Sequence, residues 1–340
     1  MRYQEYVVRR VLMLIPVFFG ITILIFCISR VLPGDPARMV MGDLGATEEQ
    51  IQIFRHEYGL DLPLHVQYLN FLIDMFHGKL GRSFRTYRDI SLELWEKFPA
   101  TLELVSLSTI FAMIIGIPLG ILAALKKDKW QDHVSRLSSL VLISSPRFWV
   151  AILLQIIFAG LIFHILPAAG RHTPSISRPP SITNFMTIDY LLAGNFNGFI
   201  DAVKHLILPI ICLSIGNIAV LTRIVRASIY EELSKDYTIA LRARGLSENL
   251  INYKYMLKNA LNAALTVTGI SFGRALGGSF IIESIFAWPG LGSFMVESIY
   301  MKDLNAIVAV ATITGFLFCI VNFIVDLLYA YLDPRIKFGE

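Results

Sequence analysis

Apolar residues along this chain fall into long unbroken blocks, unlike the period-2 or period-3.6 alternation of a half-buried soluble element. Runs free of Asp, Glu, Lys and Arg occupy 11–29, 104–125, 148–170, 205–222 and 304–325. A helix needs about 20 apolar residues to cross a bilayer, so each run predicts a span. A further stretch, 258–282, opens on Lys258 and is largely apolar beyond it, though Arg274 interrupts it. Six transmembrane helices are expected, over approximately 9–30, 101–125, 137–164, 204–223, 258–282 and 304–327. The predicted fold class is an all-α polytopic membrane protein.

Composition strengthens this reading. Of 340 residues, 55% are hydrophobic and 16% charged, against about 25% charged in an ordinary soluble domain. The formal net charge of +4 suits lipid headgroups better than nucleic acid. Cys27, Cys212 and Cys319 lie far apart within apolar runs. They read as small buried hydrophobes, with no disulfide or metal site expected. The first run lacks an A-x-A-type cleavage site and is kept as a span.

Charge position sets the orientation. Arg2, Arg9 and Arg10 precede or open the first span, and Lys126, Lys127, Lys129 and Arg136 lie between spans two and three. Seven basic residues, from Arg223 to Lys258, join spans four and five, and Arg335 and Lys337 follow span six. The segment 283–303 holds only Lys302. Basic short loops stay cytoplasmic, so both termini are expected inside. The basic residues of 31–100 do not oppose this, because long segments translocate largely regardless of charge. The chain divides into 1–30 (cytoplasmic N-terminus and first span), 31–100 (extracytoplasmic) and 101–340 (core with spans two to six). Within 31–100, Thr47 and Gln50 form a capping-box signal for a helix over 47–58. The Pro-, Ser-, Asn- and Gly-rich 165–203 predicts loop or short surface helices.

The stretch 226–258 is the most informative outside the spans. Ile229, Leu233, Tyr237, Ala240 and Leu241 recur at helical spacing, Gly245 stops the helix, and Ser247 with Glu248 starts another. Such an elbow offers a grip to a partner protein; the alternative is an interfacial loop lying on lipid. Asp236-Tyr237-Thr238-Ile239-Ala240-Leu241-Arg242-Ala243-Arg244-Gly245-Leu246-Ser247 is similar to the EAA-type loop of ABC importer permeases. Further matches follow in order: Leu32-Pro33-Gly34-Asp35-Pro36-Ala37, Gly59-Leu60-Asp61-Leu62-Pro63, Gly78-Lys79-Leu80-Gly81-Arg82-Ser83, Pro99-Ala100-Thr101-Leu102-Glu103-Leu104, Trp288-Pro289-Gly290-Leu291-Gly292 and Asp333-Pro334-Arg335. Over nearly its whole length the chain resembles the B-type permease subunit of a dipeptide/oligopeptide/nickel ABC importer.

The resemblance implies the type I permease fold and a coupling helix that enters a cleft on a separate ATPase. Asp236, Tyr237, Ala240, Arg242, Ala243, Arg244, Gly245, Leu246 and Ser247 would form the docking surface. Implied partners are a second, C-type permease, two ATPase subunits and an extracytoplasmic binding protein, in the cytoplasmic membrane of a prokaryote. The cargo implied is di- or oligopeptide, with oligosaccharides, nickel chelates or glutathione as alternatives. No G-x-x-x-x-G-K-[ST] phosphate loop occurs in the sequence, so ATP and Mg are expected on partner subunits and no cofactor or metal on this chain. Two departures stand out. Lys258-Asn259-Ala260-Leu261-Asn262-Ala263 lacks the family's proline at its last position, so span five is expected to be less kinked. Leu241 replaces an alanine.

Within the spans, Gly116 with Gly120, and Gly269, Gly273 and Gly277-Gly278, follow the small-xxx-small pattern. They permit close packing either inside this chain or against a sister subunit. Arg147 and Arg274 each fall near mid-span, where an Arg costs about 2.5–3.5 kcal/mol and faces a polar cavity or a partner. Together with Glu283 they are candidates for the translocation pathway, the arginines greeting a carboxylate; pairing of an Arg with Glu283 is the alternative. Trp288, Pro289 and Gly290 form a turn that the resemblance makes an outer gate, and interfacial anchoring is its alternative. Two other classes compete. An intramembrane enzyme needs paired polar groups at depth, whereas Glu103, Asp303 and Asp326 fall at span ends. A secondary transporter needs broken helices around an ionisable midplane site.

Overall fold

The computed structural model describes residues 3–31, 36–41, 45–160 and 163–332. Leu32 to Asp35 and Asp333 to Arg335, quoted above, lie outside them, as do Arg2 and Lys337. The described residues are mostly helical and include no extended sheet.

Twelve of the helices build the bundle and position the site. They are α1 (Tyr3–Val31), α2 (Glu48–Glu57), α3 (Leu64–Phe76), α4 (Ile90–Leu125), α5 (Trp130–Ser144), α6 (Arg147–Leu154), α7 (Phe196–Leu233), α8 (Asp236–Ala243), α9 (Leu257–Gly278), α10 (Phe280–Ile285), α11 (Leu291–Tyr300) and α12 (Leu304–Leu332). Four are long and apolar enough to cross a membrane: Glu5–Arg30, Ile90–Leu125, Phe196–Leu233 and Leu304–Leu328. A fifth candidate is the broken pair Trp130–Ser144 and Arg147–Gly160, bent by 99°. Helix α9 is 22 residues long, but its polar residues and Arg274 dilute its apolar character.

Several helices outrun the expected spans. The run-based boundaries mark only the uncharged part, while α4 begins at Ile90, where the Asp89 side chain accepts from the Ser91 N–H at 2.8 Å. Pro99, Pro118 and Pro209 are absorbed inside α4 and α7. The third span differs most. A single helix over 137–164 is expected, but it breaks at Ser145-Pro146. The Ser144 and Ser145 hydroxyls each donate back to the carbonyl four residues earlier, at 2.8 Å. Ser145 takes the extended conformation that a following proline favours, with ψ 123°.

The centre of the fold is α4 against α7. A Cβ on Gly116 or Gly120 would lie 2.9 Å from Leu221 Cβ or 2.7 Å from Val225 Cβ, so only glycine permits this approach. Thr222 Oγ1 donates to the Gly116 carbonyl across the same interface at 3.2 Å. These glycines therefore serve packing inside the chain. Gly269 and Gly273 likewise face α12, against Val325 and Phe318. Helix α9 runs unbroken through Ala263, where the family's proline is absent.

Helix α1 lies antiparallel to α12, with Phe18 against Phe316 and Arg10 bonded to Asp326 at 2.9 Å. The starts of α1 and α8 and the end of α12 thus share one end of the bundle. At the opposite end, Thr47 and Gln50 form the expected capping box on α2. The loop before α4 is tied to α12 by Ser83, which donates to Asp303 at 2.5 Å. Cys212 is buried as expected, whereas Cys27 faces outward from α1.

Candidate functional site

The elbow is built where α7 ends. One helix was expected to run on to Gly245, but the chain breaks at Ser234-Lys235. Ser234 Oγ donates to the Glu231 carbonyl at 2.7 Å and Thr238 Oγ1 to the Glu232 carbonyl at 2.8 Å. The Ser234 and Lys235 N–H groups also donate to these two carbonyls, so the hydroxyls are second donors that tighten the last turn where α7 stops and α8 starts. The Glu232 side chain is buried and receives Lys235 Nζ and the Tyr237 hydroxyl.

Helix α8 ends in a Schellman motif. The Leu246 N–H donates to the Leu241 carbonyl at 3.3 Å and the Gly245 N–H to Arg242 at 2.9 Å. Gly245 has φ +77°, a left-handed conformation that costs other residues about 1–2 kcal/mol. Arg242 then reaches forward to Glu248 with two bonds, at 2.7 and 3.2 Å. The hydrogen bond from Arg242 holds the Glu248 carboxyl below its ordinary range.

The elbow has two faces. Tyr237, Leu241 and Leu246 turn at least partly inward, and Leu233, Leu241 and Leu246 pack on the core of Val225, Ile229, Ile251 and Met256. Asp236, Ile239, Ala240, Ala243, Arg244 and Ser247 are exposed. Of the predicted docking residues, Tyr237 and Leu246 thus belong to the support and Arg242 to an internal ion pair. Glu232 and Thr238 were missed; both sit on the expected helix as ordinary polar residues, and only the break reveals their use.

Arg147 and Arg274 do come together. Both line one half-open cavity of about 440 Å³ bordered by α5, α6, α7 and α9. The break at Pro146 makes Arg147 the first residue of α6, midway along the broken pair that forms the fifth candidate span. Its guanidinium lies over Gly216, and its carbonyl accepts from Cys212 Sγ at 3.3 Å. Asn217 joins the lining, a residue sequence reasoning did not single out. Arg274 also borders a more open apolar groove of about 670 Å³ between α1, α9 and α12.

Glu283 does not line this cavity and pairs with neither arginine. It is fully buried and accepts from Thr101 Oγ1 (2.9 Å), Ser279 Oγ (2.7 Å), the Gly292 N–H (2.7 Å) and the Ser293 N–H (3.2 Å). Thr101 Oγ1 in turn accepts from the Leu291 N–H at 2.8 Å. Trp288, also buried, donates from Nε1 to the Ala100 carbonyl at 2.9 Å and lies under the Arg171 guanidinium, 5.2 Å from its ring centre. Arg171 is ion-paired with buried Glu103. The Trp288-Pro289-Gly290 turn is therefore fastened to the start of the α4 core, with Pro289 exposed and Gly290 buried.

Long apolar helices and one broken span in an all-helical fold mark a multi-pass membrane component. Residues 116–338 match the family of binding-protein-dependent transport system inner membrane components, and residues 3–105 match the N-terminal membrane component of such systems. The chain belongs to this family. It is 41% identical over 326 residues to the probable D,D-dipeptide transport system permease protein DdpB of Escherichia coli K12, covering 96% of this chain and 95% of that one. It is 40% identical over 335 residues to the dipeptide transport system permease protein DppB of Alkalihalophilus pseudofirmus, covering 98% and 99%. Among solved structures, the inward-facing MetNI methionine ABC transporter matches with a TM-score of 0.50 at 18% identity, over 72% of this chain and 96% of that one. That likeness is one of fold.

Proposed function

We propose that this permease forms half of the translocation pathway of an ATP-driven importer of di- and oligopeptides. A second permease completes the pathway, two ATPase subunits hold ATP and Mg, and an extracytoplasmic binding protein delivers the cargo. The chain contributes no ATPase site of its own. The peptide cargo follows the relatives, whose names specify dipeptide and D,D-dipeptide transport. Both termini face the cytoplasm; the shared position of the α1 start, the elbow and the α12 end supports this, together with the basic residues there.

One observation carries the coupling role: α8 is braced from behind by a buried core and a buried glutamate, yet presents a free face of Asp236, Ile239, Ala240, Ala243 and Arg244. Small side chains at 240 and 243 admit a close partner surface. In operation, closure of the ATPases displaces the elbow, and the rigid helices carry the motion to the far end. There the turn at Trp288, Pro289 and Gly290 acts as the outer gate. Arg147 and Arg274 line the path between.

Gly245→Asp tests this reading. The substitution places a side chain at φ +77°, disrupting the motif that ends α8. Substrate-stimulated transport should be lost, and the ATPases should co-purify less with the permease pair. Wild-type transport by this variant overturns the assignment of 236–247 as the docking element.

A further inference from the structure

Among the described residues, the cavity between α5, α6, α7 and α9 holds two positive charges and no negative one. Arg147 and Arg274 are its charged lining residues, and no Asp or Glu lines it. Neither guanidinium has an ion pair or hydrogen bond among the described residues. Arg171 and Arg226, by contrast, each bond a carboxylate, on Glu103 and Asp132 respectively. An arginine left without a counter-ion at membrane depth is costly unless an anion or water visits it.

A second observation is independent of the arginines. Asn217 is only 8% exposed, and its Nδ2 is buried with no hydrogen-bond partner. A buried donor without an acceptor costs about 1–3 kcal/mol, and this one belongs to a side chain lining the same cavity. A third contribution is geometric. The 99° break at Pro146 points the start of α6 at the cavity, with Ser145, Arg147 and Val150 in its wall. No side chain caps that helix start, so its open N–H groups and dipole add positive potential. A broken span whose half-helix start faces an anionic cargo group is a recurrent design of membrane transport sites.

We propose that this cavity is an anion station on the translocation path, at which Arg147, Arg274 and the Asn217 amide receive the carboxylate of a passing cargo molecule. It follows that the permease itself discriminates in favour of cargo with a free carboxylate, in addition to any selection by the binding protein. The inference rests on the reading of the chain as a peptide permease, because the carboxylate is taken to be the C-terminus of the peptide. The volume of about 440 Å³ holds one end of a short peptide. Cys212, Gly216 and Val267 in its wall impose no side-chain-specific contact, as passage of varied peptides requires.

The experiment uses the assembled permease pair with its ATPases. Ser271, which lines the cavity, is changed to Cys in a background where Cys27, Cys212 and Cys319 are alanine. The thiol is then modified by methanethiosulfonates carrying a sulfonate or a trimethylammonium group. The sulfonate reagent should react at least tenfold faster. Arg147→Gln with Arg274→Gln should bring the ratio near one, while Arg147→Lys with Arg274→Lys keeps the preference and controls for folding. In proteoliposomes with saturating loaded binding protein, the Gln pair should slow uptake of a free dipeptide at least tenfold. A flat reagent ratio in the parent, or a preference unchanged by the Gln pair, overturns the station even if peptide import is robust. A preserved charge-dependent ratio without any ATP-driven peptide uptake overturns the peptide-permease reading and leaves the anion station standing.

Discussion

Glu283 and Arg147 are both charges set among apolar residues, and the protein treats them in opposite ways. Glu283 is surrounded by four donors, two hydroxyls and two backbone N–H groups; the Arg147 guanidinium is given no acceptor among the described residues. The first is a structural carboxylate, since each of its bonds fixes a piece of backbone around Gly290 and Thr101. Sequence alone could flag both as unusual but could not separate them. One partner of Glu283, Thr101, lies 182 positions away, and no local pattern reveals that pairing. Thr101→Val tests its structural role. The change removes one donor to Glu283 and leaves the buried Leu291 N–H without its acceptor. A loss of about 2–3 kcal/mol is expected from these broken bonds. It should appear as a lower unfolding temperature of the purified subunit complex, and an unchanged temperature would refute the role.

At the level of elements, the existence and order of the long helices were legible because lipid demands uninterrupted apolar runs. Their ends were not, because charged residues continue the same helices into water at Ile90 and Leu233. Prolines were an ambiguous signal. Phe98-Pro99, Ile117-Pro118 and Leu208-Pro209 are accommodated, whereas Pro146 breaks its span because Ser144 and Ser145 supply hydroxyls to the preceding carbonyls. The string Ser144-Ser145-Pro146 was visible, but its weight emerges only with the bonds. Helix α5, on the near side of this break, is secured to α7 by one bidentate pair. Arg226 bonds Asp132 at 2.5 and 2.7 Å, and the Asp132 side chain is fully buried. Asp132→Asn removes the negative charge and strands a mostly buried guanidinium, a loss of about 3 kcal/mol. The double change Asp132→Asn with Arg226→Met should cost less than the single one. A double-mutant cycle on thermal unfolding measures the difference, and strict additivity would show that the pair does not anchor α5.

Across the whole molecule, the elbow and the Trp288 turn lie at opposite ends of the α4–α7 pair. The core of Ile218, Leu221, Val225 and Ile229 extends into the elbow through Leu233, Leu241 and Leu246. At the other end, Ala100, Leu104, Leu206 and Leu213 pack with Phe286 and Trp288. The two helices therefore form one shaft between the elbow, the proposed handle, and the Trp288 turn, the proposed gate, provided they stay in register at Gly116 and Gly120. That requirement makes the glycines a test of transmission rather than of either end. Gly120→Leu forces a side chain where Val225 Cβ already stands 2.7 Å from the new Cβ and the Thr222 carbonyl 2.8 Å away. Overpacking of this kind costs about 1–3 kcal/mol and shifts backbone, so the helices separate while the elbow surface stays intact. The ATPases should still bind and hydrolyse ATP. The number of cargo molecules moved per ATP should fall severalfold in proteoliposomes, because the handle no longer carries the gate with it. If transport and hydrolysis fall together, the lesion lies at docking; if neither falls, the α4–α7 contact is not the route by which motion crosses the membrane.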